Sequence, residues 1–173
     1  MKKIMLLLLL CIFSLGSYSQ LYISGIGVRG GKFNTGITSK FFFYANNNTG
    51  LQLDAYYTNI ASGGYTVKAF LVQQVPFKLP IVQLPLDFIL GGGLHAGYFP
   101  FEPQGYYKRS KKEANYYSKS VVSAGFDATI QIEYQVKKVV PITIGIDAVP
   151  YFEFLNQGPE FIDFGVSIRY VFR

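Results

Sequence analysis

Chemistry in this sequence has few possible carriers. His95 is the only histidine and the only side chain whose ordinary titration range suits a general base near neutral pH. Seven carboxylates, Asp54, Asp87, Asp127, Glu133, Asp147, Glu153 and Asp163, fall in apolar, alternating stretches with Arg29, Lys40, Lys68 and Arg169. Such a set suits acid–base chemistry, a cation path or a network of ion pairs. A third group, Lys108, Arg109, Lys111 and Lys112 flanked by Tyr106, Tyr107, Tyr116 and Tyr117, offers cations for phosphate and rings for stacking on sugar or protein. The single cysteine, Cys11, lies in the leader described next, which leaves thiol and Cys-metal chemistry out.

The first twenty residues, MKKIMLLLLLCIFSLGSYSQ, join two lysines to about ten apolar residues and a small, polar end. This is the layout of a secretory signal peptide, with Ser17 and Ser19 placed for cleavage before Gln20. The expected organisation is a leader over 1–19 and one domain over 20–173. Without Lys2 and Lys3 the charge falls from +6 to about +4, too mild to imply nucleic acid. With 50% hydrophobic, 17% aromatic and only 15% charged residues, the composition excludes disorder, and the 14 Tyr and 18 Gly favour sheet over helix.

Beyond the leader no apolar stretch is long enough for a transmembrane helix. Period-two alternation bounded by Gly, Pro and Asn recurs eight times instead, at 21–29, 37–44, 51–58, 65–77, 85–99, 119–136, 139–154 and 161–173. In the last three runs the even positions are apolar (Phe126, Ile130, Ile132, Ile144, Ile146, Phe164, Ile168), while the odd ones carry Asp127, Glu133, Asp147, Glu153, Asp163 and Arg169. The same parity sets Arg29, Lys40, Asp54, Lys68, Asp87 and His95 on the polar face. The predicted fold is all-β, an eight-stranded antiparallel up-and-down transmembrane barrel.

Alternation alone fits a soluble barrel turned inside out, and two features choose between the orientations. Gly25, Gly27, Gly91, Gly93, Gly97, Gly125, Gly145 and Gly165 fall mostly on the polar face, where a crowded bore gains room from them and a solvated surface gains nothing. The apolar face ends in Tyr98, Phe99, Tyr134, Phe152, Phe154, Tyr170 and Phe172, a pattern like interfacial aromatic girdles. With a periplasmic N-terminus, the outward connections are 30–36, 59–64, 100–118 and 155–160. The periplasmic ones are 45–50, 78–84 and Lys137-Lys138.

The segments GIGVRGGKFNTGITSKFFFY, LDFILGGGLHAGYF, SAGFDATIQIEYQVKKVVPITIGIDAVPYF and FIDFGVSIRYVFR resemble the small eight-stranded outer-membrane β-barrels of the OmpX-like type over essentially the whole mature chain. The resemblance implies residence in the bacterial outer membrane, contact with its lipids and insertion by the barrel-assembly machinery. It implies no agreed activity. A terminal aromatic is the family's usual assembly signal, and here Phe172 is followed by Arg173.

The expectation is a non-catalytic barrel whose bore is plugged by Arg29, Lys40, Asp54, Lys68, Asp87, His95, Asp127, Glu133, Asp147, Glu153, Asp163 and Arg169. Its structural, adhesive or recognition role falls to the outward loops. The basic third loop suits lipopolysaccharide phosphates, a surface glycan or a protein. No metal or cofactor is expected, since no His or Cys cluster and no calcium-loop spacing occurs. The sequence places no serine beside His95, which weighs against an enzyme. The alternatives are a narrow channel, a lipid-A-type modifying enzyme and a secreted soluble barrel holding an apolar ligand.

Overall fold

The computed structural model describes residues 23–43, 48–59, 63–78, 85–100, 105–107, 114–116, 120–136, 140–155 and 161–172. Among the described residues ten strands form, in chain order β1 (Ser24–Gly31), β2 (Asn34–Phe42), β3 (Thr49–Thr58), β4 (Gly64–Lys78), β5 (Pro85–Phe99), β6 (Gly105–Tyr107), β7 (Ala114–Tyr116), β8 (Val121–Val136), β9 (Ile142–Glu153) and β10 (Phe161–Phe172). Eight of them, all but β6 and β7, close into an antiparallel barrel in which each strand pairs with its neighbours in sequence and β1 pairs with β10. The closing seam runs from Ser24 opposite Phe172 to Gly31 opposite Gly165.

A register line begun at Ser24 passes through Phe41, Leu51, Leu71, Gly92 and Ala128 and then across β9 and β10. It regains the line of β1 about ten residues beyond its start. That stagger over eight strands tilts them by about 40° and leaves a bore that side chains can fill.

The alternation that marks the strands also sorts the two faces. The even positions of β8, β9 and β10 face outward, as do Ile26 and Val28 on β1, Ile37 on β2, Leu53 on β3 and Val67 on β4. The interior is less uniformly polar than the sequence suggests. Phe70, Val72, Ile89 and Val149 form an apolar cluster inside it, against Gly91 and Gly93, where an added Cβ would meet the Val72 and Phe70 side chains at 2.8 Å. Phe99 also points inward and is 1% exposed, so it does not belong to the outward aromatic ring expected for it. Its odd parity on β5 matches that of Asp87 and His95, and its ring fills space left by Gly64 and Gly97.

Two connections differ from expectation. The loop predicted over 30–36 is a tight turn at Lys32-Phe33, with Gly30 opposite Thr35 and Gly36 opposite Arg29 in the ladder. The turn is fixed because Lys32 N donates to Phe164 O and Phe33 N donates to Asp163 Oδ1. Gly36 is there for packing, since a Cβ would collide with the Ala55 carbonyl. The connection between β5 and β8, expected over 100–118, carries the short hairpin β6–β7, pairing Gly105 with Tyr116 and Tyr107 with Ala114. Tyrosine pairs favour strand on either side of the basic stretch. Gly63 has φ +84°, and its place beside the Tyr57 ring leaves no room for a side chain.

Candidate functional site

Strand parity turns Arg29, Lys40, Asp54, Lys68, Asp87, His95, Asp127, Glu133, Asp147, Glu153, Asp163 and Arg169 into the barrel, each at most 9% exposed. An isolated charge is costly in such a place, and most of these groups meet in three clusters.

The first cluster joins β1, β9 and β10. Arg29 Nη2 lies 2.5 Å from Asp147 Oδ1, and Nη1 lies 2.6 Å from Asp163 Oδ2. Asn34 Nδ2 donates to the same Asp163 oxygen at 3.0 Å, and the Tyr56 ring lies 5.4 Å from the guanidinium carbon. Gly31 and Gly165 make this possible: a Cβ on either would come within 2.6 Å of the guanidinium.

The second cluster crosses the bore. Glu133 Oε1 receives both Lys40 Nζ, at 2.6 Å, and Arg169 Nη1. Lys40 also donates to Gln131 Oε1 at 3.1 Å, Gln131 Nε2 donates to Gln52 Oε1 at 2.9 Å, and Gln52 Nε2 donates to Asp54 Oδ2 at 2.9 Å. Arg169 Nη2 donates to Thr38 Oγ1 at 3.0 Å.

His95 organises the third cluster. Its Nδ1 lies 3.0 Å from Asp127 Oδ1, whose second oxygen is 2.8 Å from Lys68 Nζ. The imidazole stacks on Tyr151 with centroids 3.8 Å apart, and Lys68 Nζ lies 4.1 Å from the centre of the same ring. Nothing in the sequence pairs a serine with His95, yet Ser123 Oγ lies 3.3 Å from His95 Nε2. Ser123 is on β8 two residues from Gly125, the direct partner of His95, so strand pairing supplies the proximity that sequence distance hides. An added Cβ at Gly125 would meet His95 at 2.6 Å, which makes that glycine part of the same site.

Serine, histidine and aspartate in this order suggest nucleophilic catalysis, but the hydrogens are otherwise engaged. Ser123 Oγ donates to Glu153 Oε2 at 2.6 Å. His95 Nε2 faces that same carboxylate oxygen at 3.4 Å while Nδ1 faces Asp127. A carboxylate at each ring nitrogen favours the doubly protonated ring, the form that has no lone pair to take the serine proton. Glu153 Oε1 accepts from Ala124 N at 2.9 Å, and the serine side chain is fully buried. The arrangement holds strands β4, β5, β8 and β9 together.

Among the described residues, no three His, Cys, Asp or Glu side chains are grouped to hold a metal ion. No protein-family model and no curated protein matches this chain. Of the proposed surface-binding loop, Tyr106, Tyr107 and Tyr116 lie in β6 and β7, and Lys108, Arg109, Lys111, Lys112 and Tyr117 lie outside the described residues, as do the leader and Arg173. Ser123, Tyr151, Tyr56, Asn34, Thr38, Gln52 and Gln131 also belong to the network, beyond the charged residues expected there. Parity alone adds all of them but Asn34, because each shares its strand's inward face with a charged residue, whereas Asn34 falls in the connection expected over 30–36.

Proposed function

We propose that this chain is an integral outer-membrane β-barrel, exported through a cleaved leader and sealed by its interior ion pairs. Its role is non-catalytic: envelope support, adhesion or surface recognition through the outward connections, with the basic, tyrosine-rich third loop meeting lipopolysaccharide, glycan or protein. The reading is carried by the distribution of charge. Among the described side chains, no strand position points a charge outward, and a broad belt of Ile, Leu, Val and Phe is exposed instead. Water-soluble monomers rarely leave apolar patches beyond a few hundred Å².

Two details support a hydrocarbon surround. Outward-facing Ser39 donates its hydroxyl to Leu53 O at 2.9 Å, and Thr49 donates to Gln73 Oε1 at 2.6 Å, so these polar groups find partners within the sheet. Aromatics cluster at both ends of the belt, Tyr57 against Tyr65 at one and Tyr170 against Phe172 at the other, with centroids 5.7 and 5.1 Å apart.

Envelope fractionation followed by a heat-modifiability gel tests this reading. Outer-membrane recovery with an unheated band of anomalous mobility is expected. Recovery in the soluble fraction without detergent would overturn it and favour a secreted barrel.

The Ser123–His95 contact favours one second reading, a lipid-modifying enzyme. Mass spectrometry of lipid A from cells carrying the wild type or His95→Ala decides it. Identical lipid profiles are expected, whereas a modification lost with His95 would establish catalysis.

A further inference from the structure

We propose that the outer face of β8, β9, β10 and β1 binds one anionic lipid, its phosphate against Lys32 and an acyl chain in the groove below. This rests on the membrane reading above. The groove has a volume of about 630 Å³, within the range of small-molecule sites. Two adjacent outward rows form it. In one, Lys32 N is bonded to Phe164 O, Phe164 is opposite Ala148, and Ala148 is opposite Ile130. Val166 and Ile146 lead the row beside it. Ala148 is the small residue in the first row and leaves a trough between larger neighbours.

The groove has direction. Lys32 sits on the β1–β2 turn at the barrel rim, whereas Ile130 lies midway along β8. Across four strands about 4.8 Å apart the trough is roughly 14 Å long and descends from the rim to mid-height. A lipid has the same order, charge at the interface and chain toward the bilayer centre. Lys32 is exposed, has no ion pair among the described residues, and is the only outward cation among the described side chains. Asp147 also borders the groove, but its carboxylate turns inward to Arg29, so the charge presented outward is positive.

A comparable depression on β2 to β5, lined by Ile37, Leu53, Ala69 and Leu94, has no outward cation and provides a control. Native mass spectrometry of the detergent-solubilised full chain, titrated separately with dioleoylphosphatidylglycerol and dioleoylphosphatidylcholine, tests the site. One phosphatidylglycerol should bind about fivefold more tightly than phosphatidylcholine, the factor expected of one basic side chain near an anionic headgroup. Lys32→Gln should abolish that preference without weakening phosphatidylcholine. Ala148→Phe should remove the site for both lipids, with Ala148→Leu as the smaller plug, and Ala69→Phe should leave the preference intact. A preference that survives Lys32→Gln, binding unaffected by both Ala148 variants, or a dimer in place of bound lipid would overturn the proposal. Heat-modifiability of each variant separates these results from failure of the membrane reading, which would remove the barrel's anomalous mobility in the wild type as well.

Discussion

Lys40 on β2 and Glu133 on β8 face each other across the full bore. Four neighbour steps separate the two strands in either direction round the eight-stranded ring, and Lys40 Nζ meets Glu133 Oε1 at 2.6 Å. Both side chains are completely buried, and Arg169 joins them from β10. The contact is therefore a strut between opposite walls. It crosses the bore and ties together two strands that share no backbone hydrogen bond.

Removing the acid should do more harm than removing the lysine. Glu133→Gln leaves Lys40 and Arg169 as two buried cations without their shared partner, and breaking a buried pair costs about 3–5 kcal/mol. Lys40→Met keeps the Glu133–Arg169 pair and should cost less. Urea unfolding in detergent micelles, followed by far-ultraviolet circular dichroism, should rank the midpoints wild type, Lys40→Met, Glu133→Gln.

The same strut predicts electrical silence. Wild-type protein in a planar bilayer should give no discrete conductance steps, because an eight-stranded bore is narrow and this one is crossed by side chains. The triple variant Lys40→Ala, Glu133→Ala, Arg169→Ala should stay silent too, because the Arg29 and His95 clusters and the apolar cluster of Phe70, Val72, Ile89 and Val149 still fill the bore. Steps from the wild type that change with Asp127→Asn or Arg169→Gln would instead indicate a channel.

A lipid-facing belt has a depth profile. Ile146→Lys, in the middle of the exposed apolar surface, should destabilise the barrel in vesicles by about 2–4 kcal/mol, and Tyr57→Lys near the rim by about 0–1 kcal/mol. Equal, small effects at both positions would mean that water rather than hydrocarbon covers this face.

Much of this was legible in the sequence because a strand's period is two: parity alone assigned Asp127 and Ile130 to opposite faces. The partners were not legible. Whether Glu133 meets Lys40 or Asp87 depends on the stagger and curvature of the whole sheet, and these emerge only when eight registers are combined. Ser123 beside His95 is hidden in the same way. Gly36 misleads for a different reason: glycine marks turns by its flexibility, but Gly36 lies within β2, where a Cβ would collide with the Ala55 carbonyl, and other glycines of this barrel, such as Gly165, leave room for the volume of an opposing side chain.

That volume rule gives a paired test at Gly165 and Gly30. A Cβ on Gly165 would come within 2.6 Å of the Arg29 guanidinium, while one on Gly30 would meet nothing within 4 Å. Gly165→Ala should cost about 1–3 kcal/mol through overpacking, and Gly30→Ala should be near neutral. Thermal loss of the unheated gel band provides the comparison.

The ion pairs join parts of the chain made at very different times. Arg29 and Asp163 are 134 positions apart, and Lys40 and Glu133 are 93 apart. Until the last strand docks on the first, some of these charges lie along an open sheet edge with water as their only solvent. A half-built sheet then has a face too polar for hydrocarbon, and only the finished ring hides it. On the membrane reading proposed above, entry before closure would be discouraged by the chain's own side chains, and sealing the cylinder would be what readies it for hydrocarbon.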